Sequence, residues 1–413
     1  MASYSDNGWL NTSIALGLAL ELELPESVEQ LMARTVGASI ERYAKGVDEE
    51  EKRLFRLTRT WYGVLNLDHI FSLDGGKKPA VTPASSPRRL RALLSHPQRT
   101  PVDLRLFAQV ELNVMRSSML ENLPRTSDFS MDTEEEAELA SVIRGARIDL
   151  DLWLEEWNSI IQKHSHEADS DTNITLLNLQ IQHEWALITL HLKAISMMGV
   201  ENLALMTDKQ RNIILAAKEA AERHLELLLH ASSANEGDFS SPASERTYLA
   251  SFKWTMDFVW AKCAFSVLLV LRLSMLLRDP PERLMQLLRQ AHELLEELER
   301  GTGGQIAYFQ ILAVSVEKCE KALREHMRQK ELQQQCESGN GVGGAAAFVA
   351  TPGELGDRQN GGSAGTPGNN DAEQDFQAYA PSELLLQWDF PGLNLRYIPI
   401  GWQDLLMDFD TMF

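Results

Sequence analysis

Cysteine is scarce in this chain: three residues in 413, Cys263, Cys319 and Cys336, lie far apart and form no C-x-x-C pair. Such spacing argues against a disulfide framework and a structural zinc site, and fits a reducing intracellular compartment. Basic charge is also short. Lys plus Arg total 39 against 59 for Asp plus Glu, a net charge of -20, which repels phosphate backbones unless a basic patch is set apart from the acidic bulk. Unbroken apolar runs are few. Phe258 to Leu277 has the length of a membrane span, but Lys262 and Arg272 interrupt it at positions costly in a bilayer, so it reads as a buried helix and no membrane partner is expected. The first apolar stretch lacks a basic start and runs into Glu21 and Glu23, so it does not read as a signal peptide.

What is present points to an all-α protein. Hydrophobic residues make up 44% and charged residues 24% of the chain, ordinary globular values, and the length has room for two or three cores. Up to about Ser338 apolar residues recur at helical spacing and proline stays at the joints, which predicts an irregular bundle of about ten helices. Expected helices include Pro25–Gly46, Asp48–Asp74 with DEEE at its start, Val102–Leu123, Thr133–Lys163 with TEEE at its start, Asn173–Met198, Asp208–His230, Ser241–Leu277, Pro281–Arg300 and Gln305–Glu337. Residues 339–375 are glycine-dense and poor in aromatics and predict a disordered linker. Residues 376–413 turn apolar, aromatic and acidic again, the layout of an interaction module on a tether. The expected domains are thus a helical body over 1–338, the linker, and an activation tail.

The most informative stretch inside the body runs from Arg53 to Val81. Leu54, Leu57, Trp61, Val64, Asp68 and Phe71 are three and four apart and share one helical face, which places a carboxylate in an apolar stripe. Asp68 therefore needs an arginine, a lysine or backbone amides as partner. Arg59, Trp61, Tyr62, Asp68, Ser72, Gly76 and Pro79 follow the pattern R-T-W-Y-x5-D-x3-S-x3-G-x2-P. This resembles the signature of the fungal transcription-factor regulatory domain, the middle homology region of binuclear zinc-cluster activators. SIALGLALELELPES ahead of it is similar to that family's preceding helix. His69 departs from the family's usual arginine, and GGKKP is one residue longer than Gly-Arg-Pro. The layout of helical body, glycine-rich linker and acidic tail is similar to the branch containing activators of secreted-protease genes and the regulator of branched-chain amino-acid synthesis.

The resemblance implies a transcription regulator, an activator located in the nucleus, able to respond to a small-molecule effector and compatible with a homodimer. DNA would be bound only through a zinc-cluster domain, with zinc held there by six clustered cysteines that this chain lacks; the chain itself is expected to carry no cofactor, and it reads as the C-terminal portion of a longer regulator. Lys77, Lys78, Arg88, Arg89 and Arg91 lie in a stretch with no acid between Asp74 and Asp103 and read as a bipartite nuclear-import loop.

Catalytic readings find no residues to rest on, so no enzyme is expected. HSHEADSD, His164 to Asp171, reads as a charged loop, and HEWAL at His183 lacks the second histidine of a zinc-protease motif and reads as helix surface. Cys263, in the most apolar helix, reads as a buried inert thiol. In the tail, Trp402, Leu405, Leu406, Phe409 and Phe413 fall on one helical stripe among Asp404, Asp408 and Asp410, and read as anchors for a coactivator. The competing reading is an all-helical structural or enzymatic protein whose C-terminal helix completes its own core.

Overall fold

The computed structural model describes residues 4–35, 46–74, 77–83, 86–124, 133–164, 170–198, 207–233, 257–277 and 279–302, with scattered positions between 312 and 332. Residues 339–375, the tail residues 376–413 and Gly76 lie outside the described residues.

The fold is all-α. Among the described residues its continuous helices are α1 (Tyr4–Glu21), α2 (Leu24–Thr35), α3 (Glu49–Asp74), α4 (Pro101–Asn122), α5 (Thr133–His164), α6 (Ser170–Met198), α7 (Asp208–Ser233), α8 (Asp257–Leu276) and α9 (Pro281–Thr302), with a 3-10 helix at Pro87–Ser95. Each boundary has a local cause. Asp48 Oδ1 accepts the Glu51 N–H at 2.6 Å, and Glu49, Glu50 and Glu51 sit at the positive end of α3. The α4 start is held by Asp103, whose carboxylate takes the Thr100 N–H at 2.7 Å and hydroxyl at 3.0 Å, with Pro101 in the first turn. Helix α1 closes on Leu22 N–H to Leu18 O at 2.9 Å, and Glu23 then turns the chain in the left-handed region at φ 53°.

Helices adjacent in sequence pack on one another. Helices α1 and α2 lie on α3, α3 on α4, α4 on α5 and α6, α6 on α5 and α7, and α7 on α8 and α9. The core runs continuously through this array and contains Phe55, Leu65, Phe107, Trp153, Trp157, Trp185, Ala220, Val270 and Leu294, all sealed from water. Burying large aromatic side chains at these crossings supplies much of the driving force, on the order of 25 cal/mol per Å² of apolar surface removed from water.

Two expectations are corrected here. The segment before α4 is not loop throughout: Pro87–Ser95 coils into the 3-10 helix because Leu90, Leu93 and Leu94 reach the core while Arg88 and Arg89 stay in water. HEWAL is not helix surface. Because α6 is enclosed by α4, α5 and α7, His183, Glu184 and Trp185 are all buried, and the polar pair is satisfied there. His183 Nε2 meets Asp151 Oδ1 at 3.0 Å, and the Arg223 Nε–H donates to Glu184 Oε2 at 3.1 Å. Among the described residues, no helix is long and apolar enough to cross a membrane.

Candidate functional site

The R-T-W-Y pattern acts as a brace. Arg59, on α3, donates from Nε to Asp103 Oδ1 at 2.6 Å and from Nη2 to Asp103 Oδ2 at 2.7 Å, and Nη2 also reaches Gln98 O at 2.7 Å. This two-pronged contact grips the carboxylate that already caps α4, so one fully buried acid fixes both the start of α4 and its position against α3. The guanidinium lies 4.7 Å above the Phe55 ring. Trp61 is buried, and Tyr62 meets Phe107 edge to face with centroids 6.1 Å apart. Burial raises the Tyr62 phenol well above its ordinary range and keeps it neutral.

Asp68 finds its partners in the backbone. Its Oδ2 accepts the N–H groups of Ala80 at 3.0 Å and Val81 at 3.3 Å, which pulls the segment after Pro79 back onto α3. Ser72 is buried, and its carbonyl accepts the Lys77 N–H at 2.7 Å. His69, where the family pattern has arginine, is buried and meets Leu65 O at 3.0 Å through Nδ1; burial lowers its imidazole below the usual value.

The basic residues are tied into this same frame. Arg91 donates to Glu111 from Nε at 3.0 Å and from Nη2 at 2.6 Å, and Nη2 also meets Glu156 at 2.7 Å. Arg88 approaches Glu111 at 3.5 Å, Arg89 approaches Glu29 at 3.4 Å, and Lys78 pairs with Glu121 at 2.9 Å. A receptor that reads an extended basic strand would have to unwind the 3-10 helix and strip Arg91 from two carboxylates.

One deeply buried group of ionisable side chains was not found from the sequence. Asp74, the last residue of α3, is buried between two cations: Arg116 Nη2 of α4 at 2.6 Å from Oδ1 and Lys262 Nζ of α8 at 2.6 Å from Oδ2. The second is a contact of charge, lying outside hydrogen-bond alignment at the Asp74 oxygen. Trp185 Nε1–H, from α6, donates to Asp74 Oδ1 at 2.9 Å, and Lys262 lies 5.0 Å over the same indole. Arg116 also reaches Thr189 Oγ1 at 3.3 Å and Asn113 Oδ1 at 3.4 Å, and Asn113 donates to Asn66 Oδ1 at 3.2 Å. The network therefore joins α3, α4, α6 and α8. Burial alone would raise the Asp74 carboxyl, but Lys262 and Arg116 hold it down at about 2.

Beside it His224, on α7, sits 5.9 Å from the Trp185 ring with no hydrogen-bond partner at Nδ1 among the described residues. Burial, reinforced by Lys262, lowers its pKa from 6.5 to about 3. Cys263 is buried next to Lys262, and burial pushes its thiol up to about 12, so it is protonated and unreactive at neutral pH. The Asp74 side chain is only 4% exposed and Arg116, Lys262 and His224 are buried, so the cluster cross-braces the body and presents no group to a substrate.

This arrangement predicts acid sensitivity. A histidine whose folded pKa lies below its unfolded value favours folding above about pH 6.5 and loses that contribution as pH falls toward about 3. His69 and His191, lowered by burial, act in the same direction, and Asp74 adds a loss between about 3.8 and about 2. Melting temperature followed by circular dichroism should therefore fall steadily from pH 6.5 to pH 4, and His224→Leu should flatten that decline.

Among the described residues no group of three histidine, cysteine or acidic side chains is placed to hold a metal ion. A binuclear zinc cluster does not fit the cysteines either: there are three, widely spaced, and Cys263 is buried in the core. Trp402, Leu405, Leu406, Phe409 and Phe413 lie outside the described residues, as does most of HSHEADSD. No protein-family model, no curated protein and no solved structure matches the chain.

Proposed function

We propose that this chain is a transcription regulator, an activator, in which the helical body governs a coactivator-recruiting segment at residues 376–413. The observation that supports this reading most is the joint use of the signature residues. Arg59 and Tyr62 hold α3 against α4, Asp68 ties down the segment that follows α3, and Trp61 and Ser72 are buried in the same helix, so the R-T-W-Y-x5-D-x3-S spacing serves the packing of α3. The tail supplies the working surface. Trp402, Leu405, Leu406, Phe409 and Phe413 anchor in a shallow groove of the coactivator, and Asp404, Asp408 and Asp410 steer the encounter and keep the free segment hydrated. The body covers or releases this segment in response to a small-molecule effector, shifting the population that can bind. DNA is reached through a zinc-cluster module supplied outside this sequence.

Fusion of residues 376–413 to an unrelated DNA-binding domain tests the recruiting step. Reporter output is expected, and the triple substitution Trp402→Ala, Leu405→Ala and Phe409→Ala should abolish it; a silent fusion overturns the proposal. Limited proteolysis within residues 339–375 separates the competing architecture. Release of the C-terminal fragment supports the tethered module, whereas a fragment that stays bound to the body supports a helix completing its own core.

A further inference from the structure

Six prolines of the chain directly follow a serine or threonine, after Thr82, Ser86, Thr100, Ser241, Thr351 and Thr366. Only after Ser86 is the residue three positions beyond the hydroxyl basic: it is Arg89, whereas the others have Ser85, Asp103, Ser244, Glu354 and Asn369 there. The fold puts this stretch where an enzyme can reach it. Ser86 is exposed, as are Arg88 and Arg89 beyond it. Its backbone, at φ -56° and ψ 127°, is extended, the conformation favoured ahead of a proline. Although Ser86 occupies the N-cap of the 3-10 helix, its hydroxyl makes no capping hydrogen bond. Thr100, by contrast, donates its hydroxyl to Asp103 at 3.0 Å.

A protein kinase takes its substrate as an extended strand, so the chain from Ser86 to Arg89 has to open for it. Little holds those residues back. The Arg89 N–H donates to Ser86 O at 3.1 Å in the first turn, and the Arg89 side chain meets Glu29 at 3.4 Å with both side chains at least half exposed. Leu90, which anchors the segment in the core, and Arg91, held by Glu111 and Glu156, both lie beyond the stretch that opens.

We propose that Ser86 is a phosphorylation site for a protein kinase that requires proline after the hydroxyl and reads a basic residue three positions on. Such a kinase selects proline by offering no acceptor for the N–H that any other residue would bring to that position, and it meets the arginine with negative charge. In the transfer, Ser86 Oγ attacks the γ-phosphorus of magnesium-bound ATP. The Oγ–P bond forms, the bond from that phosphorus to the ADP oxygen breaks, and the hydroxyl proton passes to a carboxylate of the kinase. The phosphoserine carries a charge of about -1.5 to -2 at neutral pH. It is the first negative charge between Asp74 and Asp103, and it arrives beside Arg88 and Arg89. Arg88 stands 3.5 Å from Glu111 and Arg89 stands 3.4 Å from Glu29, both longer than the roughly 2.7–2.9 Å of a charge-assisted hydrogen bond, so the phosphate draws both guanidiniums to itself. The inference concerns this one hydroxyl and does not depend on the transcriptional reading.

Incubating the folded full chain with a purified cyclin-dependent kinase and magnesium ATP, and locating the phosphate by mass spectrometry, tests the proposal. Ser86 should be modified. Arg89→Ala should slow that reaction by about tenfold or more, whereas Arg88→Ala and Thr82→Ala should leave it within about twofold. All three replaced side chains are exposed, so the variants should melt like the wild type. Ser86 left unmodified in the folded chain overturns the proposal, and it does so equally if a synthetic peptide of residues 80–92 is modified, since the fold would then close the site. A rate that Arg89→Ala leaves unchanged also overturns it, because the basic residue would not be read.

Discussion

Asp74→Ala is expected to remove about 3–5 kcal/mol of stability, a large share of the roughly 5–15 kcal/mol that holds a folded domain. The carboxylate sits at the C-terminal end of α3, where the helix dipole disfavours negative charge, and it is held there only by its partners. Removing it leaves Arg116 and Lys262 facing each other in the core, and strands the Trp185 N–H as well. The loss should appear in urea unfolding followed by tryptophan fluorescence, since Trp185 contacts the site directly. Asp74→Asn should cost less, because the amide oxygen can still accept from Arg116 and Trp185. Adding Lys262→Met to Asp74→Ala should restore part of the loss, by deleting one of the two cations that the acid had neutralised and leaving a flexible apolar side chain in its place. If Asp74→Ala unfolds at the wild-type urea concentration, the cross-brace contributes nothing and the account of the buried centre fails.

The helices themselves were legible because their signals are local. Asp48, the TEEE start of α5 and Pro281 mark starts that the structure reproduces within a few residues, and Asp68 in its apolar stripe correctly demanded a partner, found in the amides of Ala80 and Val81. What could not be read is pairing at long range. Lys262 was visible as a charge in an apolar run, but nothing in its neighbourhood points to Asp74, and Trp185 meets that acid across 111 positions of sequence. HEWAL misled for a related reason: polar residues usually mark surface, but a helix enclosed by three others can keep a histidine and a glutamate if Asp151 and Arg223 arrive to satisfy them. The 3-10 helix was missed because its signal is only three leucines within a segment rich in proline, serine and arginine.

Glu111→Ala should be the other severe substitution, at about 3 kcal/mol, and its reason bears on how the basic residues are to be tested. This buried carboxylate on α4 collects both Arg91 nitrogens, the Trp157 Nε1–H at 3.1 Å and the more distant Arg88. Truncation strands the Trp157 N–H and takes the two-pronged partner from Arg91, which keeps Glu156, at the crossing of α4, α5 and the 3-10 helix. Arg91→Ala should cost less, since Arg91 is partly open to water and Trp157 and Arg88 remain to satisfy Glu111. Arg89→Ala should change stability by no more than about 0.5 kcal/mol, because its pair with Glu29 is exposed on both sides. The five basic residues are therefore not equivalent reporters of nuclear import. Loss of nuclear accumulation in an Arg91 variant would follow from a loosened fold as readily as from a lost import signal. Lys77→Ala, Lys78→Ala and Arg89→Ala combined leave the Glu111 knot intact. If that variant melts like the wild type and still stays out of the nucleus, import reads the exposed basic side chains; if it accumulates normally, those three residues do not carry the signal.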